Sequence, residues 1–593
     1  MKKQILLLVL ITAITSLACS AQQITAIKNV NVIPMTSDKL IKQQTVLIKG
    51  NKIIQIGSVN DVSIPKDAII IVGTDKYLMP GLADMHVHLT ETFYSVPMLN
   101  LFLANGVTTV RDENGSAGDY LIKWKRDVES GKRPGPAIIA GSPILHSITS
   151  DPEKEIQEYM DYGFDFLKIY SDMPRKQFEL VMKTANKLNI YTIGHLPYSV
   201  KLNDAIDQGY DEIVHMNNLI QETLDYNLNR NSELNKFQTE EEWSQYIFIN
   251  LFMKFKKDYS RKMMVDDYQA KVKKVIAGLI KRKIPISTTL NSDLLTSKRI
   301  RYKNFILDKN VKYLNKSSLN NMKRLSDRLS EKMKKNYELG GLFYSVLDSL
   351  FVNELKNKGI PIVLGSDVFA GSGSVPGFSI YEELDILVGY GFSPYEAIKT
   401  GTVNANMVAK KMGFKMEFGT IEIGKKADLI LLKSNPLNEI GNLKDRVGVM
   451  AAGVWYSSKN LNDMIRIKKK YIPKPGMDVL FKIFKRKGFE SMITEYKKSK
   501  NAINIKDRRI NINENQLNGL GYKFLRENLI TEALKVFELN VKTHPFSANC
   551  YDSWAEAYLK SGNKAKAIEY YKKALQIYPN LESSKKALKK INQ

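Results

Sequence analysis

Between residues 82 and 367 the chain repeats one unit, a short apolar run followed by an amphipathic helical stretch. The runs are LADMHVHL, GVTTVRDE, PAIIAGSPI, DFLKIYSD, IYTIGHLP, DEIVHMN, IPISTTLN and IPIVLGSD. Strand-like runs alternating with helices make parallel βα units, and eight such units close a (β/α)8 TIM barrel, an α/β fold. Chemistry in such barrels sits at the C-terminal ends of the strands. The side chains least suited to an apolar strand fall at those ends: His86, His88, Lys168, His195, His215 and Asp367.

The first run sets two imidazoles one residue apart. Residues i and i+2 of a strand share a face, so His86 and His88 project together while Met85, Val87 and Leu89 project the other way. Four imidazoles and a carboxylate suit zinc or a similar divalent ion. The chain has 2 cysteines, Cys19 and Cys550, so its ligands are nitrogen and oxygen, and the mature protein has no internal disulfide framework. In DFLKIYS, alternation puts Leu167 and Ile169 on one face and turns Lys168 into the barrel mouth. An unpaired ammonium there is costly. Carboxylation by CO2, a salt bridge to a carboxylate and direct contact with substrate all answer that cost, and chemistry alone leaves the three open.

Flanking the barrel, residues 22–80 and 418–456 read as short strands of one small β-sandwich, with the barrel over 81–417. His195 and His215 are one short βα step apart, whereas 152 residues separate His215 from Asp367. The excess lies in lysine-rich helical insertions, 219–275 and 293–345, which leave from the site face and should form a lid or wall. Beyond residue 473 the pattern is all-helical. Pro545 and Pro579 come into register at an offset of 34, which also aligns Ala533 with Ala567, Phe537 with Tyr571 and Phe524 with Tyr558. That period resembles the tetratricopeptide repeat, over 474–593, a module that binds peptides or protein partners or caps a neighbour.

The opening MKKQILLLVLITAITSLACSAQQ has a basic start, a short apolar core and small residues. It reads as an export signal over 1–21, too short for a stable membrane span. Cys19 is a candidate lipidation site, against cleavage after Ala21, so the expected location is periplasmic or outer-membrane-associated. The formal net charge is +26, but the lysines spread over helical faces and no nucleic-acid motif accompanies them, so nucleic acid is not an expected partner.

The motifs MPGLADMHVHL, NGVTTVRDENG, YGFDFLKIYS, NIYTIGHLP, GYDEIVHMNNL, IPIVLGSD and FGTIEIGKKADLILL resemble the amidohydrolase superfamily, within it the imidazolonepropionase-like and prolidase-like branch. The resemblance covers about residues 24–456. It implies two divalent ions, most often zinc. His86, His88 and Asp367 with a carboxylated Lys168 would hold one ion, and His195, His215 and the same Lys168 the other. It further implies attack by a metal-bridging hydroxide, with Asp367 as base and then acid, and a substrate contact from a histidine near His146. His544 is expected to be structural or exposed.

Two departures concern the substrate. GSPILHSITS replaces the glycine-rich, histidine-containing loop of close relatives, and the helical insertions rebuild the lid. The expected activity is hydrolysis of a non-polymeric C–N bond in a small molecule such as a dipeptide, N-acyl amino acid or cyclic amide. A deaminase or an ester or phosphotriester hydrolase uses the same site. A reading of another class is a non-catalytic exported protein whose barrel carries the repeats. Nothing in the sequence specifies an oligomeric state.

Overall fold

The computed structural model describes residues 23–90, 94–114, 119–224, 261–369, 372–415, 417–467, 474–501, 510–591 and 593. The leader, Cys19 and residues 225–260 of the first insertion lie outside them.

All eight apolar runs form parallel strands in the order read. They are β6 (Leu82–Val87), β7 (Val107–Asp112), β8 (Ala137–Leu145), β9 (Phe166–Ile169), β10 (Thr192–Gly194), β11 (Glu212–Val214), β12 (Ile286–Ser287) and β13 (Ile362–Val363). The sheet closes on itself. Met85 N donates to Leu364 O at 2.8 Å, Asp367 N to His86 O at 2.9 Å and His88 N to Val368 O at 2.9 Å.

Strand alternation decides which side chains fill the barrel. Phe166, Val214 and Val363 pack inward with Met85, Ile139 and Ile193. Met85 was expected to share the outward face of Val87 and Leu89, but the pairing of β6 shifts register between Asp84 and Val87, so Met85 packs inside while Val87 and Leu89 pack outside. Their neighbours Leu167, Ile213 and Ile362 pack outward on the helices. At the end where the strands begin, the helix Val403–Lys411 sets Ala405, Val408 and Ala409 on this inner cluster, with Phe418 beside them. The same alternation turns Lys168 inward, where it is 1% exposed.

A second sheet draws on both flanks. From the N-terminal side come β1 (Ile24–Val32), β2 (Ile41–Lys49), β3 (Lys52–Ser58), β4 (Ile69–Val72) and β5 (Tyr77–Pro80). From the C-terminal side come β14 (Leu429–Leu432), β15 (Arg446–Ala451) and β16 (Val454–Ser457), joined by antiparallel pairing of β14 with β5. The sheet is mixed, because β1 pairs antiparallel with β2 but parallel with β4 and β5.

The tail is helical. Residues 476–500 bend at Gly488 (φ 80°), making two helices of that stretch. The helices Glu514–Arg526, Ile530–Thr543, Ala548–Lys560 and Lys564–Ile577 follow, with Ala533, Phe537, Ala567 and Tyr571 buried between them. Small residues let these helices approach closely: a Cβ on Gly521 would lie 2.5 Å from the Phe537 ring. The tail packs on the barrel. Phe546 meets the rings of Tyr159, Tyr162 and Phe164, while Tyr578 meets His146 at 4.8 Å between centroids. No described helix is long and apolar enough to cross a membrane.

Candidate metal centre

Hydrogen bonds accepted by buried carboxylates position the strand ends. Asp84 accepts from Ser366 N at 2.9 Å and Ser366 Oγ at 2.6 Å, tying β6 to the segment after β13 that carries Asp367. Burial, only partly offset by Ser366, pushes the Asp84 carboxyl up to about 7. Asp112 accepts from Leu89 N at 2.6 Å and so fixes the residue after His88. Glu383 accepts from Thr288 Oγ1 at 2.7 Å and from Leu290 N and Asn291 N at 2.8 Å each, pinning the exit of β12.

His86, His88 and Asp367 meet at the mouth, each offering a ligand atom within 4.8 Å of the other two. His88 Nε2 lies 3.0 Å and His86 Nε2 3.4 Å from Asp367 Oδ1. His215 adjoins His86 at 4.7 Å between ring centroids, and His195 adjoins His215 at 4.6 Å. His195 and His215 thus extend the first group by ring contacts, without forming a second three-residue set among the described residues. His215 Nδ1 hydrogen-bonds Thr289 Oγ1 at 2.9 Å, leaving Nε2 for a ligand. Ser292 Oγ donates to Asp367 Oδ2 at 3.1 Å.

His215, Thr289 and Asp367 have left-handed backbones, with φ of 68°, 52° and 48°. Non-glycine residues adopt this region at a cost of order 1–3 kcal/mol each, and such strain concentrates at functional sites.

The electrostatics keep His86, His195 and His215 neutral. Burial first, then the charge of Lys168, holds His86 well below the usual range. Burial and then His215 do the same to His195, while burial holds His215 at about 4. Asp367 stays anionic: burial raises its carboxyl, but His88 and His215 outweigh it and the net shift is downward. Neutral imidazoles and an ionised carboxylate are the forms that bind a cation. Neither ring nitrogen of fully buried His86 has a hydrogen-bond partner. Buried polar atoms are rarely left so, and a metal ion would answer Nε2, the nitrogen turned toward Asp367. The donor set therefore fits a divalent ion.

Lys168 does not stand alone. Its Nζ hydrogen-bonds Glu113 Oε2, and Glu113 Oε1 lies 3.0 Å from Arg111 Nη2. Arg111 forms a two-pronged pair with Glu212 at 2.9 and 2.6 Å and donates from Nε to Met85 O at 2.7 Å. Glu113 and Glu212 are absent from the sequence-based set. The signal for Glu113 was its place at the end of the second strand, the rule that singled out the histidines.

His146 lies beside the centre. Its Nδ1 is 2.6 Å from Asp172 Oδ1, and its ring contacts Tyr170, which in turn contacts His195 at 4.6 Å. His544 is far from this group in role: it is 3% exposed in the tail, with Nδ1 2.9 Å from Asn540 Oδ1. Arg299, from the helix Leu290–Arg299, is half-buried within reach of the Asp367 charge; its burial lowers it to about 10, against the pull of that carboxylate.

Residues 303–456 match the Amidohydrolase family, and 548–581 match the Tetratricopeptide repeat. Over 69 residues the chain is 38% identical to the 5-methylthioadenosine/S-adenosylhomocysteine deaminase of Caldanaerobacter subterraneus subsp. tengcongensis, 12% of this chain and 15% of that one. The chain spans only 15–16% of the length of the curated relatives it matches. Among solved structures, a Xaa-Pro dipeptidase with bound methionine aligns at TM-score 0.50 and 18% identity, over 73% of this chain and all of that one. A bottromycin amidohydrolase aligns at TM-score 0.54 and 16% identity, over 74% and 88%. At such identities the likeness establishes the fold.

Proposed function

We propose that this chain, which carries an amidohydrolase-family domain and a tetratricopeptide repeat, is a zinc-dependent hydrolase cleaving a non-polymeric C–N bond of a small molecule. The observation that carries the reading is the convergence of His86, His88 and Asp367 within 4.8 Å, with His215 and His195 adjoining, at the strand ends of the barrel. His86, His88 and Asp367 would hold one ion, and His195 and His215 a second. A bound Zn²⁺ polarises a carbonyl and brings the pKa of a water to about 7. Asp367, ionised and steadied by Ser292, accepts the proton of the attacking water and passes it to the departing nitrogen. It is the only carboxylate of that first triad.

Lys168, buried at the mouth beside Glu113, would complete both sets once carboxylated by CO2, as the resemblance implies. His146, held by Asp172, faces the substrate in this reading. A dipeptide, an N-acyl amino acid and a cyclic amide are the substrate classes to test. Deamination is a second reading, favoured by the deaminase match over 69 residues. Export, with lipidation of Cys19 or cleavage after Ala21, rests on the leader sequence, and a peptide or protein partner on the repeats.

The test is metal analysis with a substrate panel. The purified chain, reconstituted with zinc and bicarbonate, should retain about two divalent ions. It should release an amine or amino acid from Xaa-Pro dipeptides, N-acetyl amino acids or lactams. Ammonia release from aminopurine nucleosides alone selects the deaminase. A chain that retains no metal is a scaffold for its repeats.

A further inference from the structure

We infer that the repeat tail is part of the substrate site: Tyr578 packs on His146 while Asp172 holds its Nδ1, and together they fix the imidazole that faces the substrate. Tyr578 is in this sense a positioning residue. The inference rests on the hydrolase reading above and adds the tail to it.

The contact begins in the repeat itself. The helix Lys564–Ile577 ends just before Tyr578, and Pro579 after it disfavours helical backbone at Tyr578. The residue is extended, with φ −136° and ψ 95°, and half-buried. The offset of 34 that aligns the two prolines also aligns Tyr578 with His544. His544 stays inside the tail, bonded to Asn540. Tyr578 instead meets the barrel, so one position of the repeat serves internal packing in the first copy and an outside contact in the second.

On the barrel side the His146 ring meets two tyrosines edge-on, Tyr578 at 4.8 Å and Tyr170 at 5.0 Å between centroids. Aromatic rings prefer such separations and this edge-to-face geometry. Asp172 Oδ1 lies 2.6 Å from Nδ1, which leaves Nε2 to meet a polar group of the substrate. Tyr170 touches His195 in turn, so the cluster starts at a proposed metal ligand and ends in the tail. Two further contacts seat the tail here. Ser147 Oγ donates to Gln576 O at 3.4 Å, and Phe546 fits among Tyr159, Tyr162 and Phe164. An imidazole held only by its bond to Asp172 swings about that bond. The tail ring removes this freedom before substrate arrives, and a preorganised contact binds more tightly than one ordered on binding.

The test uses the full chain loaded with zinc. Diethyl pyrocarbonate, which acylates unprotonated imidazole, should modify His146 several-fold faster in Tyr578→Ala than in wild type, read by mass spectrometry, and at the wild-type rate in Tyr578→Phe. With the Xaa-Pro dipeptide, N-acetyl amino acid or lactam that the chain hydrolyses, Tyr578→Ala should raise KM several-fold with kcat nearly unchanged, and Tyr578→Phe should restore KM. His146→Gln should raise KM too, and adding Tyr578→Ala to it should raise KM no further. Where circular dichroism shows that the alanine variant loosens the tail, Tyr578→Leu, apolar but without the ring, takes its place with the same expected results. Equal modification rates in wild type and the ring-less variant, or additive effects of the two substitutions on KM, overturn the inference. Shielding of His146 by Tyr578 in a chain that hydrolyses no member of the panel overturns the hydrolase reading, and the substrate role of the pair with it.

Discussion

Gly194, the residue before His195, offers a sharp test of how the backbone places the proposed metal ligands. Its φ is 150°, and a Cβ built there would lie 2.0 Å from Ile169 O and 2.8 Å from Ile169 N. Carbon and carbonyl oxygen tolerate no closer approach than about 3.3 Å, so Gly194→Ala must part β10 from β9 by roughly 1.3 Å. That gap is spanned by the hydrogen bond from His195 N to Ile169 O, 3.1 Å long. Losing it costs about 1 kcal/mol, and an alanine held in this glycine region adds roughly 1–3 kcal/mol. The expected destabilisation is about 2–4 kcal/mol. His195 moves with its strand, and a shift near 1 Å at a reacting centre costs on the order of 10²-fold in rate. Calorimetric melting, zinc content and turnover read the three effects separately. A Gly194→Ala protein that melts with wild type and keeps its full zinc would refute the claim that strand contact at Ile169 sets the position of His195.

Thr289→Val removes the partner of His215 Nδ1; zinc affinity should fall about 10–100-fold in a chelator competition, with the melting temperature of the metal-free protein little changed. Tyr578→Ala deletes a tail ring in contact with His146; with such aromatic pairs worth about 0.5–1.5 kcal/mol, KM should rise roughly 2–10-fold while kcat stays within about twofold. In the tail, burial and then Lys500 hold His544 at about 3, against the Asn540 bond that raises it. The folded imidazole is therefore neutral where the unfolded one, with its ordinary value of 6.5, takes up a proton. Stability is complete above pH 6.5 and is lost as pH falls toward 3, by about 2 kcal/mol at pH 5. His544→Gln should flatten that slope in denaturation curves taken from pH 7 to 5.

The strands and their polar ends were legible because apolar runs and histidines at run ends leave a local pattern. β12 and β13 have two paired residues each, yet IPISTTLN and IPIVLGSD marked them by composition. The charges inside the barrel were harder. Arg111, Glu113 and Glu212 belong to runs that read as ordinary strand, and their meaning lies in pairing across 101 residues of chain. Lys168 showed the same limit: alternation pointed it inward, but only the fold supplied Glu113 as its partner. Ser292 and Arg299 sit on a helix after the seventh strand, where no periodicity separates a residue facing the mouth from its neighbours. The tail's contact with His146 joins positions more than 400 apart in sequence and leaves no local trace.

The helix Val403–Lys411 corks the barrel at its base, with Ala405, Val408 and Ala409 wedged against the inner side chains. Among the described residues the base of the barrel is thus closed, and the candidate metal-binding side chains lie at the opposite end of the strands. At that end Tyr578 of the tail lies against His146, whose ring neighbours Tyr170 and through it His195. The repeat tail thereby touches the surroundings of the candidate centre, so a partner held by the repeats would sit next to it.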